Sequence, residues 1–247
     1  YDNAKTNWTT ISRHDGLVVF LEDFELFGNV ERAQNFIESV KSGRFLFSFV
    51  MSYTETCEIP GITIAGADTN SMKYTPPADA EYLHYGYCKT IDSIPMTPDG
   101  KPTPGLLTKT ALESASISHL TINAGSKVTP QLPFIETGLS FGKNISVEPA
   151  MSDSDVSNAV EFGRIVGRNL ASLTDCLVIG ESIPGGTTTA LAVLRAFDFD
   201  AKVSSSIPTN PTKLKNEIVN SALKRINSDH PYSILAKVGD PMIAFVA

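Results

Sequence analysis

Two hydrophobic rhythms divide this chain. Short, nearly continuous apolar runs alternate with stretches whose apolar residues recur every three to four positions, and the second kind dominates after Ser152. Residues 1–15 are polar and predict no regular element, whereas the run at 17–21 predicts a strand. Asn29 can cap a helix through Val40, with Ala33, Phe36, Ile37 and Val40 on one stripe and Gly43 past its end. Residues 45–51 are almost continuously apolar and predict a buried strand. Residues 53–80 are rich in Thr, Pro and Gly and read as a long loop, a kind of segment that tends to carry function. Residues 82–87 read as a strand, the proline-rich 94–104 as irregular, 106–114 as a helix, 119–122 as a strand and 125–142 as a loop.

Beyond that point the pattern strengthens. Ser152 and Asp155 make a capping box with aspartate in place of the usual Glu or Gln. Val156, Val160, Gly163, Gly167 and Leu170 then repeat at helical spacing. Residues 176–179 form a short apolar run, as expected for a strand buried on both faces. A helix over 190–197 follows, and another over 211–226 turns Leu214, Ile218, Ala222 and Leu223 inward. Asp240 and Pro241 open a last helix whose Met242, Ile243, Phe245 and Val246 are expected to have little covering them. Strands alternating with helices predict an α/β fold with a mostly parallel sheet.

Composition narrows the function classes. The chain has 247 residues, 42% of them hydrophobic, enough for a sizeable core. A net charge of −7 without any run of Lys or Arg argues against nucleic acid as a partner. No segment reaches the roughly 18 apolar residues of a membrane span, and no signal peptide is visible, although the chain begins at Tyr1 and a removed leader stays open. Cys57, Cys88 and Cys176 are odd in number and far apart, which suits reduced thiols and a cytoplasmic location. His14, His84, His119 and His230 lack metal-ligand spacing, so neither a metal nor a cofactor is expected.

The densest chemistry lies where the strand at 176–179 turns into the next helix. Gly180, Pro184, Gly185 and Gly186 break regularity, and Thr187, Thr188 and Thr189 are expected to cap the helix. Free N–H groups and the positive end of the helix dipole would then meet at the carboxyl edge of the sheet, a good place for a phosphate. An ordinary strand-to-helix turn is the alternative. The segment is not a Walker A loop, since no Lys precedes the threonines, and its glycine spacing is not that of a dinucleotide fingerprint.

Several motifs in one order carry a resemblance: Glu148-Pro149-Ala150-Met151-Ser152, the run Gly180 to Thr189, Lys215 in a helix, and Val238-Gly239-Asp240-Pro241. Together with the block from Lys73 to Glu81 and the loop from Pro130 to Glu136, they make residues 45–247 similar to a divergent branch of the nicotinate-nucleotide:dimethylbenzimidazole phosphoribosyltransferase family. Residues 1–44 then read as a variable extension of one α/β domain.

The resemblance implies a Rossmann-like three-layer α/β/α fold, a homodimer, and small-molecule substrates. In the implied reaction, a ring nitrogen of a benzimidazole-type base displaces nicotinate from the ribose of nicotinate mononucleotide, giving an α-ribotide for the lower loop of cobalamin. By the same resemblance, Gly185, Gly186, Thr187, Thr188 and Lys215 surround the phosphate. Glu181 serves the base or the ribose hydroxyls, since an acid beside a phosphate would repel it. Asn123, Gly125 and Met151 belong to the base and ribose pocket, with Tyr74 and Phe134 as further liners of a flat slot. Asn123 stands where the family carries aspartate, and the family's chain continues beyond the position of Ala247 to a glutamate that acts as general base, matched by no residue here. The same residues therefore leave open a non-catalytic nucleotide-binding protein, or a subunit that takes the general base from a partner.

Overall fold

The computed structural model describes residues 9–13, 16–21 and 24–26 as backbone strands, and residues 28–66 and 68–247 in full. They fall into two compact units, Tyr1–Arg44 with Thr174–Cys176, and Phe45–Leu173 with Leu177–Ala247.

In the first unit, β1 (Thr9–Arg13), β2 (Gly16–Leu21) and β3 (Phe24–Leu26) form an antiparallel meander. The polar segment 1–15 therefore contains a strand where none was expected, paired by backbone rather than announced by apolar alternation; residues 1–8, 14 and 15 lie outside the described residues. The helix α1 (Val30–Val40) starts as predicted, with the Asn29 side chain accepting from the Arg32 amide at 2.9 Å.

The second unit holds a four-stranded parallel sheet in the order β6-β5-β4-β7, made from β4 (Phe45–Met51), β5 (Ser118–Asn123), β6 (Ile135–Glu136) and β7 (Cys176–Ser182). The β4 and β5 strands run in register from Leu46 opposite Ser118 to Met51 opposite Asn123. Side-chain alternation along β4 splits the core. Phe47, Phe49 and Met51 pack with Ala80, Leu83 and Leu112 from α2 (Thr75–Tyr85) and α3 (Gly105–Ser114). Val50 points to the other face. There it meets a larger core built on α4 (Asp153–Ala171), α5 (Gly186–Ala196), α6 (Thr212–Leu223), α7 (Pro231–Val238) and α8 (Pro241–Val246). The arrangement is the expected three-layer α/β/α sandwich.

Several local expectations are overturned. The segment read as a loop at 53–80 and a strand at 82–87 is two short 3-10 turns, Glu55–Glu58 and Met72–Tyr74, followed by α2. Pro76 and Pro77 sit in the first turn of α2, where a missing N–H costs nothing, and residues 76–83 are buried all round, so the helix shows no period. The β7 strand is not buried on both faces: as an edge strand it leaves Val178 and Ile179 exposed. The α8 helix is well covered, with Met242 and Phe245 buried in the main core and Val246 alone of the four apolar residues exposed. The α7 helix has no counterpart among the elements expected from the pattern. The capping box at Ser152 and Asp155 is present as read. No helix among the described residues is long and apolar enough to cross a membrane.

Candidate active site

The parallel register brings the carboxyl ends of β4, β5, β6 and β7 to one edge of the sheet, where α/β folds bind ligands. At this edge the Ser52 amide donates to the Ser182 carbonyl at 3.1 Å, and the chain turns at Ile183 and Pro184 into α5. Gly185, not a threonine, stands at the helix N-cap, with φ of 78°. A Cβ there would also lie 3.0 Å from backbone atoms of Cys57, so left-handed backbone and close approach both demand glycine.

The three threonines play separate parts inside the first turns. The Thr189 hydroxyl lies within hydrogen-bond distance of both the Asp240 carboxyl and the Gly186 carbonyl, tying α5 to α8. Thr188 is fully buried, and its hydroxyl has no hydrogen-bond partner among the described residues. Thr187 accepts a bond from Lys215 Nζ at 3.0 Å. The turn is less open than expected. The Gly186 amide donates to Ile183 and the Thr188 amide to Gly185, which leaves the Gly185 and Thr187 amides without a backbone partner among the described residues.

Lys215 is 1% exposed. Its ammonium donates to Thr187 and, at 2.6 Å, to the Ser204 carbonyl, and no carboxylate pairs with it among the described residues. Burial lowers its pKa below the usual lysine value. One of its three N–H donors has no protein acceptor. It is thus a cation held in the interior, beside the N-terminus of α5, with a neutral environment and a donor to spare.

Next to this turn lies a cavity of about 540 Å³, lined by Phe47, Phe49, Asp79, Glu181, Ser182 and Pro184 among others. Ser206, two residues past Ser204, also lines it. The Asp79 carboxyl accepts from Thr103 Oγ1 at 2.7 Å and from Ser182 Oγ at 2.8 Å. Burial pushes its pKa up to about 6, against the lowering effect of those two hydroxyls. Glu181 is also raised, by surrounding protein first and then by the charges of Asp240 and Asp79; its surface is nevertheless exposed, so water screens it. Asp240, buried as the N-cap of α8, is raised by burial too. No group of His, Cys, Asp and Glu among the described residues is arranged to hold a metal ion.

The structure gathers Glu181, Gly185, Gly186, Thr187, Thr188 and Lys215 around one turn. Of the predicted site residues only Glu181 lines the cavity: Gly185, Gly186, Thr187, Thr188 and Lys215 lie outside its lining, as do Asn123, Gly125, Met151, Tyr74 and Phe134. Asn123 is committed to structure, donating to Glu136 at 2.8 Å and accepting from the Ser126 amide at 2.8 Å. Gly125 is fixed by φ of 86° and by the Ser140 carbonyl, 2.6 Å from where a Cβ would be. Met151 is packed in the main core. Sequence reasoning missed Asp79, Ser182, Phe47 and Phe49 as cavity residues. For Asp79 the signal was its place in the block from Lys73 to Glu81, where two carboxylates, Asp79 and Glu81, follow Pro76, Pro77 and Ala78.

A family model described as phosphoribosyltransferase matches residues 113–247. The UPF0284 protein of Archaeoglobus fulgidus is 49% identical over 83% of this chain and 61% of its own length. The UPF0284 proteins of Saccharolobus solfataricus and Sulfolobus acidocaldarius are each 43% identical, over 82% and 86% of this chain and 58% and 64% of theirs. The chain thus spans about three fifths of the length of these relatives. Among solved structures, CobT from Thermus thermophilus superposes with a TM-score of 0.61 at 16% identity, over 88% of this chain and 63% of that one. The nicotinate-nucleotide-dimethylbenzimidazole phosphoribosyltransferase of the same organism gives 0.58 at 17% identity, over 82% and 56%. These structural likenesses carry the fold.

Proposed function

The chain belongs to the nicotinate-nucleotide:dimethylbenzimidazole phosphoribosyltransferase family, and on that premise we propose that it binds nicotinate mononucleotide and passes its phosphoribosyl group to a benzimidazole-type base. The observation that carries the reading is Lys215, an interior ammonium with no counter-carboxylate among the described residues, bonded to the first turn of α5. Such a cation is costly until an anion joins it. A ribose phosphate supplies that anion, with the dipole of α5, the free Gly185 and Thr187 amides and the unpartnered Thr188 hydroxyl around it.

In this reading the mononucleotide lies with its phosphate at Lys215 and its ribose along Pro184 and Glu181. Glu181 hydrogen-bonds the sugar hydroxyls from the far side of the turn, away from the phosphate charge. The base enters the adjoining cavity, so that its ring nitrogen faces C1′. Proximity of two held reactants, rather than a covalent intermediate, supplies most of the acceleration. The product is the α-ribotide used in the lower loop of cobalamin, and the working unit is a homodimer.

The experiment is direct. Protein incubated with nicotinate mononucleotide and 5,6-dimethylbenzimidazole should release nicotinate in step with ribotide formation. Absence of release with every azole base tried overturns the transferase reading. Nucleotide binding without turnover would instead favour the non-catalytic alternative.

A further inference from the structure

Asp79 lies in the block from Lys73 to Glu81 but is given no role by the sequence, yet it is the buried charge of the cavity. It is 8% exposed, and its carboxylate oxygens each accept one hydroxyl, from Thr103 and from Ser182. Each oxygen therefore keeps a lone pair for another donor. No cation pairs with it among the described residues: Lys101, the lysine in the cavity lining, is paired with Asp99 at 2.8 Å. The rest of the wall is largely apolar. Phe47 and Phe49 stand at alternate positions on one face of β4, with Ile64, Leu83 and Pro95 beside them. A largely apolar cavity with one buried carboxylate at its wall fits an aromatic ring that carries an N–H.

We propose that Asp79 is the residue that selects the acceptor base, taking a hydrogen bond from a ring N–H of a flat azole held in the Phe47–Phe49 cavity. The inference deepens the transferase reading and rests on it for the chemistry. The ring nitrogen opposite the N–H uses its lone pair to form the bond to C1′. The bond from C1′ to the nicotinate nitrogen breaks, and its electron pair returns to that pyridine nitrogen. The N–H proton passes to Asp79, which leaves the ribotide neutral in its azole ring. Burial suits this role, because a carboxylate out of water discriminates against a ligand that cannot donate and would leave it unpaired. Glu181, exposed on β7, has water as a competitor and gives no such selection.

The test compares 5,6-dimethylbenzimidazole with 5,6-dimethylbenzoxazole, in which oxygen replaces the N–H without added bulk. Binding is read by fluorescence or calorimetry. The wild-type chain should prefer the benzimidazole by about 30-fold or more. Asp79→Leu should bring the two affinities within about twofold of each other, through loss of benzimidazole binding alone. Asp79→Asn, which keeps an acceptor but no charge, should fall between and stands in if the leucine variant fails to fold by circular dichroism. Equal wild-type affinity for both rings, or undiminished preference in a folded variant, overturns the proposal. Nicotinate mononucleotide binding is measured in parallel on the wild-type chain. Nucleotide bound without ring discrimination sinks this inference alone, whereas ring discrimination without nucleotide binding sinks the transferase reading and upholds Asp79 as the determinant of an azole site.

Discussion

Replacing Lys215 with methionine separates stability from function in a way the site geometry dictates. Methionine keeps most of the side chain's volume and removes the ammonium of a residue that is 1% exposed and that, among the described residues, donates to the Thr187 hydroxyl and the Ser204 carbonyl. The loss of those two bonds costs about 1–3 kcal/mol, since the Ser204 carbonyl loses its partner. Relief of an unpaired buried charge returns a similar amount, so net stability should change by no more than about 1–2 kcal/mol. Phosphate binding has no such offset. A charge-assisted hydrogen bond contributes about 1.5–3 kcal/mol, which corresponds to roughly 10- to 100-fold in affinity. Calorimetry with nicotinate mononucleotide and with the phosphate-free nicotinate riboside reads the two effects apart. The variant should lose the nucleotide's advantage and bind the riboside as the wild type does. Equal weakening for both ligands would refute the assignment of Lys215 to the phosphate. The pH dependence has a definite sign: the folded state lowers the lysine pKa, so it holds fewer protons than the unfolded chain. The penalty is full below the folded value and fades as pH rises toward the unfolded one, and bound phosphate should shrink it.

Three further outcomes follow from single contacts. Gly185→Ala forces a left-handed alanine whose Cβ meets the Cys57 backbone at 3.0 Å; urea melts should show a loss of about 2–4 kcal/mol, and a shift under about 0.5 kcal/mol would contradict the turn geometry. Glu81→Gln places a donor against the amides of Thr90 and Gln131, which now donate to its carboxylate at 2.7 Å each, and should cost about 2–4 kcal/mol. Burial acts upward on the Glu81 pKa but is outweighed by the Thr90 hydroxyl and the three amides that donate to it, so the folded value lies below the usual one. Its stabilisation is therefore present above the unfolded pKa and lost as pH falls through the folded one, and the variant's midpoint should depend less on acid. Asp79 has the opposite sign. Its pKa rises from 3.8 to about 6, so the folded chain holds the extra proton and stability falls as pH rises from about 4 to 6, by about 3 kcal/mol in all. Glu181 and Cys88 are raised by burial first, and the Asp79 charge adds to both. Thermal melts of Asp79→Asn across that window should lose this fall.

The sequence was most legible where one residue pattern admits one structure. A continuous apolar run such as Phe45–Met51 reads as an interior strand because only a strand covered on both faces tolerates it. The box at Ser152 and Asp155 was readable because capping is local. The run at 176–179 looked the same as β4 yet lies at an edge, since apolarity along a strand does not say which neighbour is missing. Helix α2 was hidden because burial of residues 76–83 erases the amphipathic period. In the site, the Gly185 turn was found from spacing, but its division of labour was not. That depends on contacts such as Thr189 with Asp240, 51 positions apart. Asp79 and Ser182 are 103 positions apart. Nothing in either neighbourhood announces that they meet, so the cavity itself could not be read from the chain.

The central claim is that the interior ammonium of Lys215 and the first turn of α5 hold a ribose phosphate. A crystal structure of the chain with nicotinate mononucleotide bound tests it most directly. The account predicts phosphate oxygens about 3 Å from Lys215 Nζ and from the Gly185 or Thr187 amide, with the ribose beside Glu181. A nucleotide whose phosphate lies elsewhere, while Lys215 still donates only to Thr187 and Ser204, would contradict it.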